Sequence, residues 1–288
     1  MHLLLLTPAP DFPEPFAWAF HVQADALRAA GATVSARPWT DIGELDPFDA
    51  VLPLVAWGYH LRFAEWLQVL DGLERDVRCV INPVSLLRWN SNKAYLQELA
   101  GVGVPTVPTL NVDHLNEAAL AAAYGVLGCE EVVIKPAVSA GATGTYRLRQ
   151  GEGACVPADV HGEAMMVQPF LPSITSTGEY SLILFNGALS HCVIKRPASG
   201  DFRVQPHLGG ITERCAPPPG SEQLAAQALA AAPAAAVYAR VDLVEGAAGE
   251  LQVMELELVE PALFLAQAPE APPAFAAAVI SAAEHARE

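Results

Sequence analysis

The segment Val253-Met254-Glu255-Leu256-Glu257-Leu258-Val259-Glu260-Pro261 constrains this chain more than any other. Side chains alternate between faces along a β-strand, so Glu255 and Glu257 share one face while Leu256 and Leu258 take the other. Upstream, Tyr238-Ala239-Arg240-Val241-Asp242-Leu243-Val244 has the same form and puts Arg240 and Asp242 on one face. The linker Glu245-Gly246-Ala247-Ala248-Gly249-Glu250 predicts a hairpin loop. With Val244 opposite Leu251, the side chains of Asp242, Glu255 and Glu257 fall on a common face. Three carboxylates beside apolar strands repel one another and lose hydration, which is costly unless something positive sits among them. A hard divalent cation with oxygen ligands, Mg²⁺ above all, is the natural partner. An exposed sheet face carrying ordinary charges is the plainer alternative, and this segment alone leaves both open.

Composition narrows the choice. With 32 acidic against 16 basic residues the formal net charge is −16, and the basic residues form no runs. Such a chain is a poor partner for nucleic acid, whereas a small anion held by a few placed cations and a metal fits it well. The five cysteines are odd in number and widely spaced, with no CxxC pair, which argues against a disulfide framework or structural zinc and fits a reducing cytoplasm. Met1–Leu6 is apolar but is cut short by Pro8 and Pro10 and lacks a preceding basic segment, so a buried first strand is expected rather than a signal peptide. No apolar run is long enough to cross a bilayer. At 288 residues, 52% of them hydrophobic, two or three packed units are expected.

The N-terminal third alternates strand and helix signals: strand Leu3–Leu6, helix Phe16–Ala30 ending at Gly31, strand Ala32–Arg37, strand Ala50–Val55, helix Leu61–Leu73, strand Val77–Ile81. That alternation predicts a parallel sheet with helices on its faces. Further on, a helix is expected over Ser91–Ala100 and another from Asn111 to Tyr124. Short strands follow at Val132–Lys135 and Met165–Gln168. Asn186-Gly187 between Tyr180–Phe185 and Ala188–Ile194 is the strongest hairpin signal. Ser221–Ala232 and the segment from Pro272 predict helices.

Lys135 leaves the strand Val132–Lys135 just before Ser139-Ala140-Gly141-Ala142-Thr143-Gly144-Thr145, a small, flexible loop able to present backbone N–H groups to phosphates beside the lysine's point charge. Lys93, on the helix opened by Asn90-Ser91-Asn92, is a second candidate phosphate contact, and Arg203 lies in the polar loop Gly200–Gly210. Each alone is as readily an ordinary surface cation. No Walker A loop, G-x-G-x-x-G fingerprint, G-x-S-x-G elbow or HExxH occurs, so a nucleophilic hydrolase or a zinc enzyme has little support.

Taken in order, these pieces resemble the ATP-grasp superfamily of carboxylate–amine ligases, over roughly Trp89 to Leu265. They are Asn92-Lys93, Ile134-Lys135-Pro136 with its Gly-rich loop, Val167-Gln168-Pro169-Phe170-Leu171, Gly178-Glu179-Tyr180-Ser181, Gly200-Asp201-Phe202-Arg203, Arg240-x-Asp242 and Glu255-x-Glu257. The chain is most similar to the glutathione-synthetase and ribosomal-protein glutamate-ligase branch. Closer still, Val133–Arg147 and Tyr238–Leu265 resemble the O-ureido-D-serine cyclo-ligases that close the ring in D-cycloserine biosynthesis. The resemblance implies an α/β (α+β) architecture: an N-terminal parallel-sheet domain over 1–88, a central subdomain with a Gly-rich lid over 89–170, and a C-terminal subdomain with the metal site over 171–288. It implies a ligase that forms a C–N bond through an acyl-phosphate, releasing ADP and phosphate, on a small amino-acid-like substrate, either within one molecule or between two. A nucleotide-binding regulatory protein without turnover is the competing function. Lys93, Lys135, Ser139 and Gly141 would hold ATP phosphates, Gln168, Pro169, Phe170 and Leu171 the adenine, and Glu179 the ribose. Asp242, Glu255 and Glu257 would ligate two Mg²⁺ (or Mn²⁺) ions. Arg203 and Arg240 would act on the transferring phosphoryl group, and a homodimer is the commonest assembly for such ligases. Two positions depart from the pattern: Glu257 stands where asparagine is common, and Leu208 where the glutamate-ligase branch carries arginine.

Overall fold

A computed structural model describes residues 1–77, 79–151 and 155–286. In the first sheet β1 (His2–Thr7), β2 (Thr33–Pro38) and β3 (Ala50–Leu52) run parallel in the order β2-β1-β3. Leu3 to Leu6 are fully buried, as expected of a central parallel strand covered on both faces. Helix α1 (Ala17–Ala29) packs beside this sheet, and Gly31 takes the positive φ of 91° that ends it. Helix α2 (Phe63–Asp76) inserts Trp66, Leu70 and Leu73 on the other side, followed by α3 (Val84–Asn90). The expected strand Val77–Ile81 reduces to one parallel bridge between Val51 and Val80, with Arg78 outside the described residues.

Two expectations fail in the middle of the chain. The helix expected from Ser91 begins only at Tyr95 (α4, Tyr95–Gly101), because the Asn92 side chain accepts the Ala94 N–H and closes a turn first. Lys93 therefore sits in that turn, not on a helix. The helix expected from Asn111 is preceded by a strand, β4 (Leu110–Val112), and starts at α5 (Glu117–Leu127), where Asn116 caps the Ala119 N–H at 2.9 Å.

The second sheet is antiparallel, β4-β7-β5-β6, with β5 (Glu131–Pro136), β6 (Tyr146–Arg149) and β7 (Met165–Pro169). The third comprises β8 (Glu179–Phe185), β9 (Ala188–Arg196), β10 (Ile211–Cys215), β11 (Tyr238–Glu245) and β12 (Leu251–Glu257), in the order β10-β9-β8-β11-β12. Asn186 and Gly187 both have positive φ, 48° and 77°, as a type I′ hairpin requires. A short helix α6 (Ser173–Ser176) precedes β8, and α7 (Ser221–Ala230) packs Leu224, Ala225 and Ala228 beneath the third sheet. The last helix, α8 (Ala271–His285), returns to the first core, where Phe275 and Val279 meet Leu3 and Leu27. No helix among the described residues is long and apolar enough to cross a membrane.

Candidate active site

A cavity of about 740 Å³ lies where the three sheets meet, walled by residues from Phe12 and Trp57 near the first sheet, Lys135 on β5, Glu179 on β8 and the β11–β12 hairpin. The hairpin forms as its sequence predicts, with a different register. Val244 pairs with Gln252, not Leu251, and the ladder shifts between Asp242 and Leu243. The extra residue, Met254, is a bulge. Without it Met254 would oppose Asp242 and Glu255 would face away; with it Asp242 faces Glu255 and Arg240 faces Glu257. One oxygen from each of Asp242, Glu255 and Glu257 lies within 4.8 Å of the others.

Four cations, three of them buried and Lys135 half-buried, answer these carboxylates. Asp242, 1% exposed, accepts from Ser181 Oγ at 2.5 Å, from Lys195 Nζ at 3.0 Å and from Arg240 Nε at 3.0 Å. Arg240 also pairs with Glu257, and Lys195 with Glu179. Lys93 Nζ lies 3.2 Å from Glu255 and bonds the Ser139 carbonyl. Lys135 Nζ, half-buried in the same wall, lies 3.9 Å from Met254 Sδ. Burial alone would raise Asp242, yet Arg240 and Lys195 hold it well below the usual carboxylate range. Glu255 is likewise lowered, burial being outweighed by Lys93 and Lys135. Glu257 goes the other way: burial, reinforced by Glu255, Asp242 and Glu260, outweighs Arg240 and pushes it up to about 8. Burial raises Glu179 and lowers Lys135.

Of the remaining expected residues, Ser139, Gly141, Gln168, Pro169, Leu171 and Arg203 line the same cavity, whereas Phe170 is buried and is not among the lining residues. Gln168 is buried and its side chain is committed to Thr109 Oγ1 at 2.8 Å. Pro169 has no N–H, and that of Phe170 bonds the Glu131 carbonyl at 2.9 Å. The Phe170 ring lies between the Arg147 guanidinium, 3.5 Å from its centroid, and Phe202. Gly144 in the loop 139–145 has φ +67°, and a Cβ there would meet Pro136 at 3.0 Å, so glycine is demanded twice over. Arg203 lines the cavity with its guanidinium held by Asp201, at 3.1 Å and 2.8 Å.

Several residues of the site carry no local signal of their place in it. Lys195 is one: the Asn186-Gly187 turn counted straight back would place Ile194 opposite Glu179, but a shift between Ile183 and Leu184 puts Lys195 there. Others secure β12, an edge strand whose outer backbone groups need partners. The chain at Pro105–Val107 pairs with Val253; the Tyr95 hydroxyl bonds Leu256 N and O at 2.8 and 2.9 Å. Asn90 bonds Leu256 O at 2.6 Å and Leu258 N at 2.7 Å, and Asn82 bonds Leu258 O at 2.8 Å. Side chains thus replace a neighbouring strand beside Glu255 and Glu257.

Comparison with known proteins places the chain among its relatives. The D-cycloserine synthetase DcsG N-terminal domain family matches residues 4–82. The chain is 33% identical over 263 residues to the cycloserine biosynthesis protein DcsG of Streptomyces lavendulae, covering 84% of this chain and 86% of that protein. It is 30% identical over 206 residues to the glutathione synthetase of Prochlorococcus marinus (strain MIT 9313), covering 66% and 63%. The ATP-grasp ligase PsnB, in a structure complexed with a phosphomimetic variant of its minimal precursor, Mg and ADP, shares the fold at a TM-score of 0.67 and 14% identity over 98% of each chain. The crystal structure of D-cycloserine synthetase DcsG superposes at a TM-score of 0.85 with 28% identity, covering 99% of this chain and 100% of that one. The fold is that of the ATP-grasp ligases, and the chain is one of them, an enzyme class that forms carbon–nitrogen bonds with ATP. Within that class, the chain belongs to the D-cycloserine synthetase family.

Proposed function

We propose that this enzyme is a cyclo-ligase acting on a small amino-acid-like substrate, closing a ring of the D-cycloserine type. A carboxylate oxygen of the substrate attacks the γ-phosphorus of ATP, the bond to the β-phosphate oxygen breaks, and ADP leaves. A nitrogen of the same molecule then attacks the acyl carbon, the carbon–oxygen bond to phosphate breaks, and the nitrogen gives up a proton to solvent. The observation that carries this proposal is the convergence on one cavity of three carboxylates within 4.8 Å and of Lys93, Lys135, Lys195 and Arg240. Phosphoryl transfer asks a protein mainly for positioning and for compensating charge, which this set supplies.

The donor set fits Mg²⁺: hard oxygen ligands, one of which, Glu257, is held protonated by its neighbours unless further positive charge offsets them. Asp242, Glu255 and Glu257 would hold two ions, which when bound would neutralise charge on the phosphates. Lys93 and Lys135 would hold the α- and β-phosphates beneath the Ser139–Thr145 loop, acting as a lid that keeps water from the acyl-phosphate. The adenine edge would read the carbonyls of the 168–171 stretch and the Leu171 N–H, since the Phe170 N–H is already bonded. Glu179, close to the ribose, would be oriented by Lys195. Arg240 would face the moving phosphoryl group, with Arg203 joining it after leaving Asp201. We assign residues 1–88, 89–170 and 171–288 to the three units that enclose this site.

Substrate carrying ¹⁸O in its carboxyl group tests the proposal. One labelled oxygen should appear in inorganic phosphate, with ADP as co-product and a product mass equal to one substrate minus its leaving groups. AMP and pyrophosphate would overturn the acyl-phosphate route, and a product mass summing two substrates would overturn ring closure.

A further inference from the structure

Beyond the ribose, phosphate and metal residues, two carboxylates line the cavity that this chemistry does not use: Glu14, exposed at its rim, and Glu260, half-buried. Glu260 follows the metal-binding strand by three residues and lines the same cavity beside Tyr59, His60 and Phe264. Its neighbours are all matched: Glu179 and Asp242 by Lys195, Asp242 and Glu257 by Arg240, Glu255 by Lys93. Among the described residues no lysine, arginine or histidine nitrogen lies within 4 Å of Glu260. Lys93 and Arg240 are near enough to act on it electrostatically without reaching it. A half-buried carboxylate left without a cation is costly, and a cationic ligand group would offset that cost.

The position restricts what that ligand is. The Arg240 guanidinium, which serves the transferred phosphoryl group in the proposed reaction, also reaches the Ala262 carbonyl, two residues beyond Glu260. Glu260 therefore borders the place where the substrate carboxylate must lie. In an α-amino acid the ammonium is two bonds from the carboxyl carbon, so both groups fit one site only if their partners are adjacent. Tyr59, buried, and Phe264, whose ring lies 5.8 Å from the Arg240 guanidinium, line the same cavity. His60 Nδ1 in this wall is buried without a hydrogen-bond partner among the described residues.

We propose that Glu260 is the specificity residue of the acceptor subsite, pairing with the α-ammonium of the substrate, while Tyr59 and Phe264 wall the space that its carbon skeleton fills. This rests on the cyclo-ligase reading above. It makes the enzyme selective for free α-amino acids and their cyclised products over the same compounds lacking the amine.

The test uses calorimetry on the full chain loaded with ADP and Mg²⁺, with two probes: D-cycloserine, which carries the amine, and isoxazolidin-3-one, the same ring without it. The native protein should prefer D-cycloserine by about ten- to a hundredfold, the range of one charge-assisted hydrogen bond. Glu260→Gln should bring the two probes within threefold of each other while binding ADP and Mg²⁺ as the native protein does, and Glu260→Asp should keep part of the preference. A preference that survives in Glu260→Gln overturns the assignment and leaves the cyclo-ligase reading standing. Loss of ADP binding in Glu260→Gln would instead place this carboxylate in the nucleotide or metal site, and overturns it too. If the native protein binds ADP and Mg²⁺ but neither probe, the cyclo-ligase reading itself falls, and the subsite with it.

Discussion

Replacing Glu257 by asparagine should make the metal-free protein more stable, and increasingly so as pH rises. Glu257 is pushed from 4.5 to about 8 by burial and its carboxylate neighbours. Between those two values the folded chain holds a proton that the unfolded chain has released, so this group's contribution to stability falls with rising pH. At ~1.4 kcal/mol per unit, that interval bounds the penalty at ~5 kcal/mol. The side chain is 25% exposed through the cavity, and solvent screening brings the penalty down to about 2–3 kcal/mol at pH 8. For a chain of this size that corresponds to roughly 5–10 °C in melting temperature. Scanning calorimetry in EDTA should show Glu257→Asn and the native protein differing least near pH 4.5, with the variant gaining steadily up to pH 8. Glu255→Gln serves as the opposite case. Glu255 is lowered in the fold, so it stabilises above its unfolded value and that stability is lost as pH falls; the variant should lose most ground at neutral pH and above. Saturating Mg²⁺ should remove much of the Glu257→Asn advantage, since the cation takes the proton's place. A Glu257→Asn difference that is flat from pH 5 to 8 would refute the proposed crowding of charge.

Arg240→Met should lower kcat by on the order of 10²–10³ while changing KM for ATP much less, as expected when a preorganised charge partner of the transition state is lost. It should also lower the metal-free melting temperature, because Asp242 and Glu257 lose the cation they share; equal effects on kcat and KM would point to ground-state binding instead. Asn90→Ala removes two buried bonds to β12 at about 1–3 kcal/mol each and should raise the Mg²⁺ concentration for half-maximal rate several-fold. An unchanged Mg²⁺ dependence in an otherwise less stable Asn90→Ala would mean that the edge clamp serves the fold alone.

What the sequence discloses and what it conceals divide along the range of the interactions. Period-two alternation and the Asn186-Gly187 turn are local, and both hairpins of the third sheet were legible from them. The parallel first sheet was legible too, from the strand and helix signals that alternate along the N-terminal third. Bulges are not local in this sense. The shift at Met254 and the one between Ile183 and Leu184 each move a charged side chain by one position, bringing Glu255 to Asp242 and Lys195 to Glu179. Simple counting reached the carboxylate cluster through the wrong register and would set Ile194, not Lys195, opposite Glu179, although Lys195 stands out as a cation just before the Arg203 loop. Asn92 and Asn116 exposed a different limit: side-chain bonds of short span ended one expected helix turn and delayed another helix, against alanine-rich patterning. The edge clamp lay furthest from view, since Asn90 and Tyr95 reach Leu256 and Leu258 across more than 160 residues. Beyond its pairing with β11, the outer edge of this strand with two acidic side chains meets only the short bridge at Thr106 among the described residues. Side chains from the segment that also carries Lys93 fix it in place, so the proposed phosphate lysine and the proposed metal ligands are held in one frame. A displacement of either would be felt by both, which is why a substitution at Asn90, a residue that touches neither ATP nor metal in the proposed mechanism, is expected to read out in the Mg²⁺ dependence.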